Sequence, residues 1–97
     1  MGDSQAIQIR QTEIDFGTSQ YDYEKTFTIT DPIVTSTSKI IATKSFESPS
    51  DGRSTDEVMV EQLELSVLPQ NGSFKLHINS VVGPTNGKFK INYEVTN

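Results

Sequence analysis

The chain has 97 residues, a formal net charge of −5 and no cysteine. That length suits one domain. The acidic balance argues against a phosphate-backbone binder or an anionic-membrane ligand, and the missing thiols exclude disulfides and thiolate sites.

Leu, Ile, Val and Phe make up 25 of the 97 residues, above the roughly 20% below which disorder is the better expectation. The core is nevertheless lean, because a chain this short buries only about 60–65% of its unfolded surface. A lean β core gains from a partner chain, so a homo-oligomer, dimer or trimer, is expected.

In chain order, Met1–Gln11 is polar and shows no apolar run of a signal peptide, and no stretch approaches the ~20 apolar residues of a membrane span. Ile7 and Ile9 alternate with Gln8 and Arg10, but the next apolar residues, Ile14 and Phe16, fall on the opposite parity. A slip of one residue turns an apolar face outward unless a bulge intervenes, so a bend is predicted near Gln11–Glu13. Gly17–Gln20 reads as a turn. Tyr21, Tyr23, Phe27 and Ile29 alternate, with Lys25 breaking the apolar face and marking where the strand proper begins. Asp31-Pro32 ends it, since Pro lacks the ladder N–H and restricts its predecessor. Ile33–Thr35 is predicted as a short edge segment, and Lys39–Phe46, with Ile40, Ile41 and Ala42, as a central strand.

Glu47–Asp56 is a long loop dense in turn formers, Ser48-Pro49-Ser50-Asp51-Gly52, and a natural place for partner contacts. Between Asp56 and Leu68, Val60, Leu63 and Val67 fit helical spacing. The clean alternation of Leu63, Leu65 and Val67 before Pro69 favours a strand with a bulge near Glu61-Gln62. Pro69-Gln70-Asn71-Gly72 reads as a hairpin turn, since Asn-Gly accepts positive φ.

The strongest signal is at the end of the chain. Phe74, Leu76 and Ile78 alternate with Lys75, His77 and Asn79; after Gly83–Gly87, Phe89, Ile91, Tyr93 and Val95 alternate with Lys90, Asn92 and Glu94. Each run has one apolar and one polar face, the pattern of a sheet packed on one side and solvated on the other. Six to eight short strands with frequent turns predict an all-β, antiparallel β-sandwich, with the last strand well inside a sheet.

No catalytic pattern accompanies this fold. The single histidine, His77, falls on a polar strand face, and no Gly-x-Ser-x-Gly elbow or phosphate loop is present. One His without Cys excludes ordinary zinc ligation, and Asp51, Asp56 and Glu57 match no EF-hand spacing. No enzyme, metal or cofactor is therefore expected. Asn71-Gly72-Ser73 matches a glycosylation sequon but reads as the turn. The candidate contact residues are Tyr21, Asp22 and Tyr23, with Asp51, Arg53 and Asp56 from the long loop. Tyrosine beside acid groups can stack on a sugar while the polar groups bind its hydroxyls; the simpler expectation is that both tyrosines extend the core face of Phe27 and Ile29.

The succession Ile14-Asp15-Phe16-Gly17, Lys25-Thr26-Phe27-Thr28-Ile29-Thr30-Asp31-Pro32-Ile33-Val34 and Ser38-Lys39-Ile40-Ile41-Ala42, with Gly72-Ser73-Phe74 and Gly87-Lys88-Phe89-Lys90-Ile91-Asn92-Tyr93, resembles small β-domain accessory proteins of tailed bacteriophages. These are head fibres, capsid decorations, or tail-fibre and baseplate components. The resemblance implies a structural virion protein assembled in the host cytoplasm, usually oligomeric, contacting itself and other virion proteins.

The run Phe27 to Val34 and the late Gly-x-Phe are also similar to H-type lectin domains, six-stranded sandwiches that trimerise and bind sugars. That likeness implies a host-surface glycan as the alternative partner. Those lectins typically carry a Trp in the last strand, where this chain has Tyr93 nearby and no Trp, so no ligand residues carry over.

Overall fold

The computed structural model describes residues 7–17, 22–81 and 83–97. Its elements are β1 (Ile7–Asp15), β2 (Glu24–Thr30), β3 (Lys39–Lys44), α1 (Thr55–Met59), β4 (Leu63–Gln70), β5 (Ser73–Ser80) and β6 (Lys88–Thr96). The strands form two antiparallel three-stranded sheets, sheet A in the order β1-β6-β3 and sheet B in the order β2-β5-β4. The fold is thus an all-β sandwich.

The two alternating runs at the chain's end are the central strands, β5 and β6. Phe74, Leu76 and Ile78 of β5 and Phe89, Ile91, Tyr93 and Val95 of β6 are all buried. They meet Ile14, Phe16, Ile29, Val34 and Val58 in one core. Phe16 packs edge-on against Phe27 and Phe89, with ring centroids 5.5 and 5.9 Å away, so it ties β1's end to both sheets. Each fully buried Phe, Leu or Ile contributes roughly 1.5–3 kcal/mol through removal from water. The hairpin between β4 and β5 turns at Asn71-Gly72, where only Gly72 takes positive φ, 82°.

Four local expectations are corrected. No bulge interrupts β1, which pairs with β6 in one unbroken register from Ile7↔Thr96 to Asp15↔Lys88. Its inward positions are therefore Gln8, Arg10, Thr12 and Ile14, and Ile7 and Ile9 face outward. The reason lies in Arg10: its guanidinium is 3.3 Å from the buried carboxylate of Asp31, which also accepts a 2.8 Å hydrogen bond from the Tyr93 hydroxyl. A bulge that brought the isoleucines in would turn Arg10 away from that carboxylate.

Ile33–Thr35 forms no strand. This stretch belongs to two consecutive turns, closed by Val34 N–H on Asp31 C=O (3.0 Å) and Ser38 N–H on Thr35 C=O (3.0 Å), with Val34 plugging the core. The strand over Lys39–Lys44 is an edge of sheet A, not its centre.

Residues 55–68 divide between both alternatives, a short helix followed by a strand. Ser54 caps α1 by accepting from Glu57 N–H at 3.2 Å, and Val58 points into the core. Lys44 donates to the Val58 carbonyl at 2.6 Å, which also accepts from Glu61 N–H, and to the Glu61 carbonyl, so it ties the end of α1 and the turn after it to β3. Burial holds the Lys44 ammonium below its ordinary pKa, against the opposing charge of Glu61.

Candidate functional site

Sheet A's outer face can be read off its register. Across β1, β6 and β3 the outward rows are Ile7, Thr96 and Lys39; Ile9, Glu94 and Ile41; then Gln11, Asn92 and Thr43. Below these lie Glu13 beside Lys90 and Asp15 beside Lys88.

The polar groups of the lower rows are bound by the chain itself. Residues of the 45–54 loop hydrogen-bond to them. Ser50 donates its amide and hydroxyl to Glu13 at 2.9 and 2.6 Å, Gln11 donates to Glu47 at 2.8 Å, and the Lys88 ammonium reaches Ser50 at 3.3 Å. The Ser50 hydrogen bonds hold the Glu13 carboxyl below its usual pKa, and those from Gln11 and Ser45 do the same for Glu47.

Asp51 and Arg53 anchor this loop. Asp51 accepts from Lys88 N–H at 2.9 Å and from Arg53 Nε at 3.2 Å. Burial pushes the Asp51 carboxyl up, but those amide hydrogen bonds and the Arg53 charge outweigh it and leave the pKa below its ordinary value. The Arg53 guanidinium stacks 4.4 Å from the centroid of the Phe89 ring and donates to Lys88 C=O. Gly87 permits the close fit: its φ is 82°, and a Cβ there would meet Asp51 Oδ2 at 2.9 Å.

The upper rows carry no such hydrogen bonds among the described residues. Ile7, Ile9 and Ile41 are 58%, 76% and 62% exposed. Ile9, Ile41, Thr43, Asn92, Tyr93 and Glu94 line a shallow open groove of about 420 Å³. Three isoleucines gathered around a groove on one face mark a candidate contact surface, since exposed apolar residues scattered singly are the ordinary case.

The residues singled out from the sequence are distributed differently. Tyr21 lies outside the described residues, and α1 carries Asp56, whose side chain is likewise outside them. Asp22 is tied by its backbone to Thr85 through two hydrogen bonds of 2.9 and 2.8 Å. Tyr23 is 64% exposed, so it does not extend the core. Asp51 and Arg53 are occupied in holding the loop. No side-chain hydrogen bond or ion pair among the described residues joins Asp22 or Tyr23 to Asp51 or Arg53. His77 stands on sheet B's polar face, 2.7 Å from Thr26 Oγ1, and the described residues gather no group of three His, Cys, Asp or Glu side chains fit for a metal.

The sequence reasoning missed the outward isoleucines. Their signal was present: the parity change between Ile9 and Ile14 marks residues on opposite faces of one straight strand. The chain matches no protein-family model, no curated protein and no solved structure.

Proposed function

We propose that this chain is a structural component of an assembled particle, a tailed-phage virion protein of the capsid-decoration, head-fibre or tail-appendage kind. It acts through protein–protein contacts made by the uncovered half of sheet A. The observation that carries the reading is the pair of rows holding Ile7, Ile9 and Ile41, whose isoleucines stand outward and exposed beside polar rows that the chain's own loop hydrogen-bonds. Covering the exposed part of each of these side chains contributes at most about 1.5–3 kcal/mol, an apolar centre to which polar contacts around it add. The virion assignment draws on the resemblance of the segments from Ile14 to Tyr93.

The test is mass spectrometry of particles purified by density from cells carrying the gene. The reading expects the chain in the particle at a fixed ratio to its major protein, and its loss when Ile9→Glu and Ile41→Glu are combined. A chain recovered only free in the lysate would overturn it. Glycan binding is a second reading, favoured by Tyr23 standing exposed beside Asp22; an array on which Tyr23→Ala binds as the parent does would remove it.

A further inference from the structure

The assembly surface has a backbone component as well as a side-chain one. Phe16 N–H donates to Gly87 C=O at 2.8 Å, which sets the phase of the β1–β6 ladder. Hydrogen-bonded pairs alternate along an antiparallel ladder, so Ile14, Thr12, Arg10 and Gln8 bond to β6. The N–H and C=O groups of Ile7, Ile9, Gln11, Glu13 and Asp15 then point to the open edge of sheet A. Among the described residues nothing pairs with them.

The sandwich's other three edges are guarded. β3 and β4 approach each other, β4 carries Pro69, and β2 places Lys25 on its inner face beside the Phe27 ring. Such devices are how natural sheets block strand addition. On β1 the acidic residues Glu13 and Asp15 guard the lower half, and the inward charge of the upper half, Arg10, is paired with the Asp31 carboxylate 3.3 Å away. The upper half, Ile7–Gln11, has a bare backbone edge at the same place as the bare isoleucines.

We infer that a second copy of this chain pairs its β1 antiparallel to this β1 about a two-fold axis through Ile9, joining the two A sheets into one six-stranded sheet. This rests on the assembly reading above and names the partner. The residues disfavour its rivals that oppose like charges or set isoleucine on acid. A parallel pairing would set Glu13 on Glu13 and Asp15 on Asp15, and like charges directly opposite repel. An antiparallel register centred on Gln11 would place Ile9 against Glu13 and Ile7 against Asp15. Centred on Ile9, the partners are Ile9 with Ile9, Gln8 with Arg10 and Ile7 with Gln11. Isoleucine then meets isoleucine, an amide oxygen faces a guanidinium, and the two acidic halves point in opposite directions. The outer face gains one apolar band running Ile41, Ile9, Ile9, Ile41 across the axis, with Glu94 between each pair.

The chain has no cysteine, so single thiols report cleanly. Opposed residues of a hydrogen-bonded antiparallel pair lie roughly 5.5 Å apart at Cα, within the ~4.4–6.8 Å a disulfide spans. Under mild oxidation, Ile9→Cys gives a covalent dimer, while Asp15→Cys gives at least about tenfold less because its site is remote from the axis. An equal mixture of Ile7→Cys and Gln11→Cys cross-links as the mixed dimer, which fixes the register independently of any effect at Ile9. Light scattering on the parent protein accompanies both. A dimer by scattering that Ile9→Cys fails to trap overturns the β1 pairing and leaves the particle assignment standing. A parent that stays a single chain at high micromolar concentration also overturns the pairing, and particle composition then judges the assembly reading alone.

Discussion

On sheet B's outer face Thr26 meets His77, Lys75 donates to Thr28 at 2.7 Å and Asn79 donates to Glu64 at 3.2 Å. On sheet A's outer face Ile9 and Ile41 flank Glu94 with no described residue bonded over them, and in the acid–base rows beneath Glu13 is bound by the chain's own loop. Each polar group of the first face has a cross-strand neighbour, and water can satisfy the rest. The second face has three exposed isoleucines that only another surface can remove from water. The two sheets have the same strand count and the same alternation, so the difference lies in which residue types occupy the outward parity. Sheet B's outer face is polar except for one exposed leucine, Leu68, whereas sheet A gathers Ile7, Ile9 and Ile41 in its upper half.

The largest test of that contrast truncates isoleucine on each side of sheet A. Ile91 is fully buried and Ile9 is 76% exposed. Ile91→Ala should lower stability in urea by about 2–5 kcal/mol, and Ile9→Ala should move it by less than about 0.5 kcal/mol in dilute protein. Comparable losses would mean that the outward row is core.

A smaller effect separates the loop-bound half from the bare half. Gly87→Ala meets both a positive φ and the Asp51 carboxylate, and should cost about 1–3 kcal/mol with faster amide exchange across residues 45–54. Gly72→Ala shares the φ of 82° but has open space for a Cβ, and should leave exchange in that loop unchanged.

The smallest concerns why Ile9 points outward at all. Burial and the hydrogen bond to Asp31 push the Tyr93 hydroxyl from 10.0 up to about 12. The folded chain therefore holds this proton more tightly than the unfolded one. Its stabilisation is whole below pH 10 and is lost as the pH climbs towards 12. Tyr93→Phe should cost about 1–2 kcal/mol at neutral pH and should flatten the alkaline fall in stability between those values.

Much of this architecture was legible in the sequence. The runs from Phe74 and Phe89 announced the two central strands because both lie deep in their sheets, where alternation is enforced on every residue. Asp31-Pro32 and Asn71-Gly72 marked real chain reversals. The edges were harder. β1 carries Arg10 at an inward position for the sake of a carboxylate 21 places later, a long-range pairing that local periodicity does not encode, so its parity change looked like a bulge. The helix at Thr55 had its own sign in Ser54-x-x-Glu57, the spacing of a helix N-cap, but five residues are too few for periodicity to show. Asp51 and Arg53 looked free because a loop's composition does not reveal the β6 backbone and Phe89 ring that hold them.

The central claim is that the bare isoleucine rows of sheet A are a surface of association. Light scattering over a concentration series, from micromolar to several hundred micromolar, tests it most directly on the parent and on the chain with Ile9→Glu and Ile41→Glu together. The account predicts that the parent's mass rises from one chain to two while the double variant, equally folded by circular dichroism, stays single throughout. A parent that never exceeds one chain, or a double variant that associates as the parent does, would contradict it.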